Sequence, residues 1–254
     1  MCVKRRLVLG WIRRPEITEG GKMRRRAFIA LLSMVAIVTL AIAGLAGATF
    51  AFIGYYDTWA AENMKEFLDA QGAVTTVIQL CDVGTTDLSS YDLLIVGPDT
   101  GYYGEWGNEA GRDAIRALDV PVLGMSAGGA SLFEQLGLEI NWGATASSED
   151  PGETTIIVER ADHEVFHTPI DLSVVDGDIL QLYDEPLPVY ILYVPRLAEG
   201  PETLGRLPDT PDYAPVAIQG KYALWGFEFA PYGMTEAGKN LLINLITYLL
   251  GVVE

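Results

Sequence analysis

The six residues Gly124-Met125-Ser126-Ala127-Gly128-Gly129 constrain this chain more than any others. They join an apolar run over 121–125 to a segment with helical spacing through Leu132, Phe133 and Leu136. Small residues on both sides of Ser126 let a strand turn sharply into a helix, which lifts the serine above the edge of a sheet. The Ala127 N–H then lies near a helix N-terminus, where it can meet a developing oxyanion. Gly-rich turns of this kind also hold phosphates or simply pack tightly, so the pattern alone leaves the chemistry open.

The rest of the sequence supplies a frame for such an elbow. Apolar runs at 49–55, 73–80, 92–97 and 121–125 read as strands, the third buried enough to be central in a sheet. Helical spacing at 58–71, closed by Gly72, and at 108–118 alternates with them, which predicts βαβ units and a parallel sheet. Further strands are expected at 154–159, 178–183 and 189–194. A Pro-, Gly- and Asp-rich surface loop follows over 199–215. Runs at 215–219 and 222–229 flank Gly220-Lys221 as a hairpin. Thr235 then caps a last helix with Leu241, Leu242, Leu245, Ile246 and Leu249 on one face.

From residue 27 to residue 53 no side chain is charged, and Arg24, Arg25 and Arg26 stand immediately before this run. It is long enough to span a bilayer as a helix, with the basic flank on the cytoplasmic side. The expected organisation is a basic segment over 1–26, a transmembrane signal anchor or a signal peptide over 27–48, and one folded domain over 49–254. Ala46-Gly47-Ala48 would be the cleavage site of a signal peptide. Met23 is an alternative start. The domain is expected outside the cytoplasm, anchored as a single-pass membrane protein or secreted if the signal is cleaved.

The formal net charge of −17 conceals an asymmetry: residues 1–26 hold nine Lys/Arg against Glu16 and Glu19, and the remainder holds eight against 32 Asp/Glu. So acidic a domain repels phosphate backbones, which argues against nucleic-acid binding. Of the two cysteines, Cys2 precedes the apolar run and Cys81 follows it, so the folded domain holds no internal disulfide. Cys81 closes an apolar run and reads as a buried small hydrophobe.

The segment PVLGMSAGGASLFEQLGL resembles the elbow of class I glutamine amidotransferases, in which a cysteine stands in the place of Ser126. DLLIVGPDTG resembles the family segment that supplies a second oxyanion donor, a role that would fall between Gly97 and Gly101. GKYALWGFEFAP resembles the strand that normally runs into Phe-His-Pro-Glu, and TEAGKNLLINLITYL the closing helix. The resemblance covers residues 49–250 and implies a fold class: α/β, a flavodoxin-like, doubly wound and mostly parallel sheet with helices on both faces, here preceded by one N-terminal hydrophobic helix. It implies an active-site position at the carboxyl ends of the strands.

The departures concern chemistry. Ala230 stands where the family has its catalytic histidine and Tyr232 where it has the acid, so no base of the family type is available to Ser126. The only histidines are His163 and His167. A Ser126–His163 pair, as in serine peptidases related to peptidase E, is the alternative; Asp162, Glu164, Asp184 and Glu185 all compete to orient the imidazole. A structural turn is the favoured reading of His163, and still more so of His167. Tyr102, Tyr103 and Trp106, in a Gly-rich loop after the third strand, either border a pocket beside the elbow or cover the sheet end. No metal ligand set of recognised spacing is present, and no cofactor is implied. The sequence therefore points to an extracytoplasmic, membrane-associated, amidotransferase-like domain lacking glutaminase activity, which binds an unidentified small ligand or protein. The competing expectation is a serine hydrolase that uses Ser126 and His163.

Overall fold

The computed structural model describes residues 45–101, 106, 109–141, 145–197 and 200–251. In chain order its first half comprises β1 (Thr49–Gly54), α1 (Thr58–Ala70), β2 (Val74–Gln79), β3 (Leu93–Val96), α2 (Glu109–Arg116), β4 (Val122–Met125) and α3 (Ser126–Leu136). The second half comprises β5 (Thr145–Glu153), β6 (Thr155–Val158), β7 (Ile179–Gln181), β8 (Leu187–Tyr193), β9 (Glu202–Arg206), β10 (Tyr213–Ala214), β11 (Val216–Gln219), β12 (Tyr222–Trp225) and α4 (Glu236–Gly251).

Nine strands form one sheet in the order β2-β1-β3-β4-β12-β11-β9-β6-β7. From β2 to β12 every pairing is parallel, and from β12 to β7 every pairing is antiparallel. The parallel half is apolar on both faces because helices cover both. Phe50 and Phe52 of β1 point into a core shared with Met64 and Leu68 of α1 and Leu241 and Leu245 of α4. Ala51 and Ile53 point to the opposite core, with Ile115 of α2 and Leu132 and Phe133 of α3. Alternate residues of one strand thus serve two cores, the period-two geometry of an extended chain. A second sheet, β10-β8-β5, is antiparallel and joins the main sheet where Tyr190 N–H donates to Gly226 O at 2.8 Å.

Local signals explain most element ends. The Asp57 carboxylate accepts the Ala60 N–H at 3.0 Å and so caps α1. Thr235 Oγ1 accepts the Gly238 N–H at 3.0 Å and caps α4. The edge strand β2 is shielded by α1: Asp69 Oδ1 accepts the Thr75 N–H at 2.9 Å and Lys65 Nζ donates to Thr75 O at 2.8 Å. Side chains therefore occupy a position on that edge that another strand would need.

Five expectations change. The mixed sheet is parallel only in its first five strands, and the expected loop over 199–215 contains β9, held between β11 and β6. β5 falls where the sequence pattern predicts no strand. Cys81 is exposed, because β2 ends at Gln79 and the chain enters a 3-10 turn over Leu80–Thr85, which breaks the alternation. The fold also begins before residue 49: Leu45 is fully buried among the α1-side core residues. Gly47 N–H donates to Gly72 O at 2.9 Å, and Val74 N–H to Ala48 O at 2.8 Å. The basic segment over 1–26 and the apolar run up to residue 44 lie outside the described residues. Among the described residues no helix is long and apolar enough to cross a membrane.

A domain that starts at Thr49 loses the Leu45 side chain and two backbone hydrogen bonds. It should unfold about 2–4 kcal/mol more easily than one starting at Leu45. Urea denaturation of the two fragments measures the difference.

Candidate site at the carboxyl edge of the sheet

β4 passes into α3 with no intervening residue, and Ser126, the first residue of the helix, has φ +46°. A non-glycine residue holds this left-handed conformation only where its surroundings enforce it. Here the loop after β3 does so. A Cβ on Gly128 would lie 1.9 Å from the carbonyl oxygen of Gly97, and one on Gly101 would lie 2.3 Å from that of Ala127. The two backbones therefore touch directly, and any side chain at Gly128 or Gly101 would separate them. The loop that resembles the family's oxyanion segment thus lies against the first turn of α3, whose N–H groups have no partner within the helix.

Asp99 fixes that loop from the other side. Its Oδ2 accepts the N–H groups of Tyr55, Tyr56 and Asp57 at 3.0, 2.8 and 2.8 Å. Asp99 is buried. β1 leads through α1 to β2 on one side while β3 lies on its other side, so the β1–β3 crevice is the topological switch point of the parallel half, the usual ligand site of open α/β sheets. In this chain an internal carboxylate fills the amide nest there. Thr100 extends the clasp, donating through Oγ1 to Gly97 O at 2.9 Å and accepting from Trp106 Nε1 at 3.1 Å. Trp106 is fully buried in the α2–α3 core; it supports the loop and offers no face to a ligand. Tyr102 and Tyr103 lie outside the described residues. Sequence reasoning missed Asp99, although its place between a central strand and Gly101 was a usable signal.

Ser126 Oγ is buried and has no hydrogen-bond partner among the described residues. The neighbouring strand β12 reaches the same edge, with Trp225 level with Met125, and the segment beyond it carries Ala230. Ala230 is buried and has no proton-accepting group. Phe229 and Tyr232 instead pack on Trp59 of α1, with ring centroids 6.2 and 4.9 Å away. Tyr232 is 60 % exposed.

Neither histidine is at this edge. β6 runs antiparallel to β9, and β9 starts level with Ile218, beside the hairpin whose Lys221 O accepts the Val122 N–H at the amino end of β4. His163 follows β6 and therefore stands at the opposite end of the sheet from Ser126, four strands across. At strand spacing alone that is about 19 Å. The alternative Ser126–His163 pair does not form: Ser126 Oγ has no hydrogen-bond partner among the described residues.

Each histidine has a local structural account. His163 Nδ1 accepts the Val165 N–H at 3.2 Å and caps a short turn. Its ring lies on Tyr248, and Nε2 is 3.8 Å from Glu202, which also pairs with Arg160. Asn244 of α4 holds the same loop by donating to Val165 O and Ile170 O and accepting the Ile170 N–H. Burial pushes the His163 pKa below its ordinary value of 6.5, against the pull of Glu202. His167 faces acceptors with both ring nitrogens, Asp171 Oδ1 at 3.1 Å and Ala161 O at 2.6 Å. The Asp171 carboxylate, then the carbonyl, raises its pKa above 6.5.

This architecture recurs in solved structures. A protein assigned as one component of GMP synthase, from Thermoplasma acidophilum, superimposes with a TM-score of 0.55 at 12% identity, over 82% of this chain and 94% of that one. PurLQS from Thermotoga maritima matches with a TM-score of 0.54 at 14% identity, over 80% of this chain and 99% of that one. The chain has the class I glutamine amidotransferase fold. No protein-family model matches it, and no curated protein sequence does. Within this fold Ser126 occupies the elbow and Ala230 follows the adjacent strand, so the expectation drawn from the sequence motifs holds for the architecture.

Two measurements check the site. Asp99→Ala orphans three N–H groups and should cost about 3 kcal/mol, a loss that sulfate, but not chloride, partly restores by entering the nest. Thermal unfolding in the two salts reads both effects. In an NMR titration His163 should titrate below 6.5 and His167 above it. Their linkages to stability oppose one another. The His163 contribution is full above 6.5 and is lost as pH falls through that value, because the unfolded chain then takes up the proton first. The His167 contribution is full below 6.5 and is lost as pH rises through its raised folded-state value.

Proposed function

We propose that this domain is an amidotransferase-like binding module without glutaminase activity, held outside the cytoplasm by its apolar N-terminal segment. One observation carries the first part: the elbow keeps its backbone geometry, yet Ser126 Oγ has no partner among the described residues, and the segment after the adjacent strand carries Ala230. A serine hydroxyl does not attack a carboxamide without a base to take its proton. What remains at the edge is a strained turn, a helix N-terminus and the aromatic surface of Trp59, Phe229 and Tyr232, all suited to binding. Anchoring is supported by Arg24–Arg26 before a charge-free run. The burial of Leu45 supports retention, because cleavage after Ala48 would remove a core residue.

The full-length chain in nonionic detergent should release no ammonia from glutamine and take no label from a fluorophosphonate. Labelling that disappears in Ser126→Ala would overturn the proposal. Mass measurement of the mature chain should find residues 45–48 retained.

A further inference from the structure

A second feature of the carboxyl edge lies two to three strands from Ser126, roughly 10–14 Å at strand spacing. Between the first turns of α1 and the end of β2 there is an open pocket of ≈ 140 Å³, whose walls include Tyr55, Tyr56, Asp57, Glu62 and Val77. A cavity of roughly 150 Å³ accepts one benzene, so this pocket suits a ligand of about that size. Tyr55 and Tyr56 both line the pocket and meet edge to face, with centroids 5.2 Å apart; Tyr55 also packs against the α2–α3 core, so Tyr56 is the more open of the two rings. Val77 adds an apolar side that is 38 % exposed.

The charges around this pocket have one sign. Glu62 forms no ion pair or hydrogen bond among the described residues, and Asp57 uses Oδ1 to cap α1. The nearest cation on the helix, Lys65, is turned away to Asp69 and Thr75 O. Beyond residue 26 the chain carries 32 acidic against eight basic residues, so an anionic ligand meets repulsion on approach, and the Asp57 carboxylate that caps α1 offsets the positive end of that helix. Aromatic faces and a carboxylate with no cation are the recognised means of holding an organic cation.

We propose that this pocket binds an organic ammonium ion, with its methyl or alkyl groups against Tyr55, Tyr56 and Val77 and its charge facing Glu62. The site is independent of the elbow and of any chemistry at Ser126. The probes are tetramethylammonium, tert-butanol and pivalate, similar in size and cationic, neutral and anionic respectively, titrated calorimetrically into the full-length chain in nonionic detergent. Tetramethylammonium should bind and the other two should not. Tyr56→Leu, which keeps apolar volume but removes the ring, and Glu62→Gln should each weaken binding by about fivefold or more. Val77→Trp, which fills the pocket from the exposed edge, should abolish it, and Ser126→Ala should leave it unchanged. Equal binding of tert-butanol, tighter binding of pivalate, no heat from tetramethylammonium, or wild-type affinity in both Tyr56→Leu and Glu62→Gln would each overturn the proposal. Loss of binding in Ser126→Ala would overturn its independence from the elbow.

Discussion

The direct backbone contact between the turn into α3 and the loop after β3 governs the rest of this edge. Gly128 meets Gly97 O and Gly101 meets Ala127 O at distances that leave no space for a Cβ. Because the two segments touch, Ser126 is held at positive φ. The adjoining Asp99 is also placed where its carboxylate reaches three amides of the β1–α1 loop. One packing constraint thus organises three loops from three strands. Close-packed interiors behave in this way: a contact without slack transmits position to its neighbours.

The same constraint separates the shape of the elbow from any chemistry at Ser126. The elbow shape follows from glycine packing and the β4–α3 junction, whereas reactivity would need a proton acceptor delivered by a different strand. β12 arrives in register, Trp225 beside Met125, but carries Ala230 onward. The residues after it pack on Trp59 instead. A backbone scaffold and the side chains that would use it are separable, which is why fold and activity are argued on different observations.

Asp99 and Trp106 show where side-chain roles depart from expectation. Asp99 carries no signal of its own in the sequence, yet it is buried and accepts three N–H groups. For Trp106 the sequence leaves a pocket border and a cover of the sheet end both open; its indole N–H is spent on Thr100 and its ring lies in the core. In both cases the deciding partner is a segment distant in sequence or a hydroxyl whose orientation no local pattern records. Cys81 departs for a local reason, a 3-10 turn that starts at the preceding residue and ends the strand alternation.

Residue patterning alone specifies the strands and helices of the parallel half, the hairpin at Gly220-Lys221, the capped closing helix and the strand–Ser126–helix elbow. Those features rest on period-two and helical spacing and on glycine-bearing turns, which act over a few residues. Long-range packing is what makes β9 a strand, since its ETLGR sequence has little strand character and is held by β11 and β6 on either side. Packing also brings Leu45 into the core and sends His163 to the far end of the sheet. A sequence separation of 37 positions between Ser126 and His163 carries no distance information. The direction of β6 relative to β4 and the number of strands between them set that distance, and long-range pairing alone fixes both.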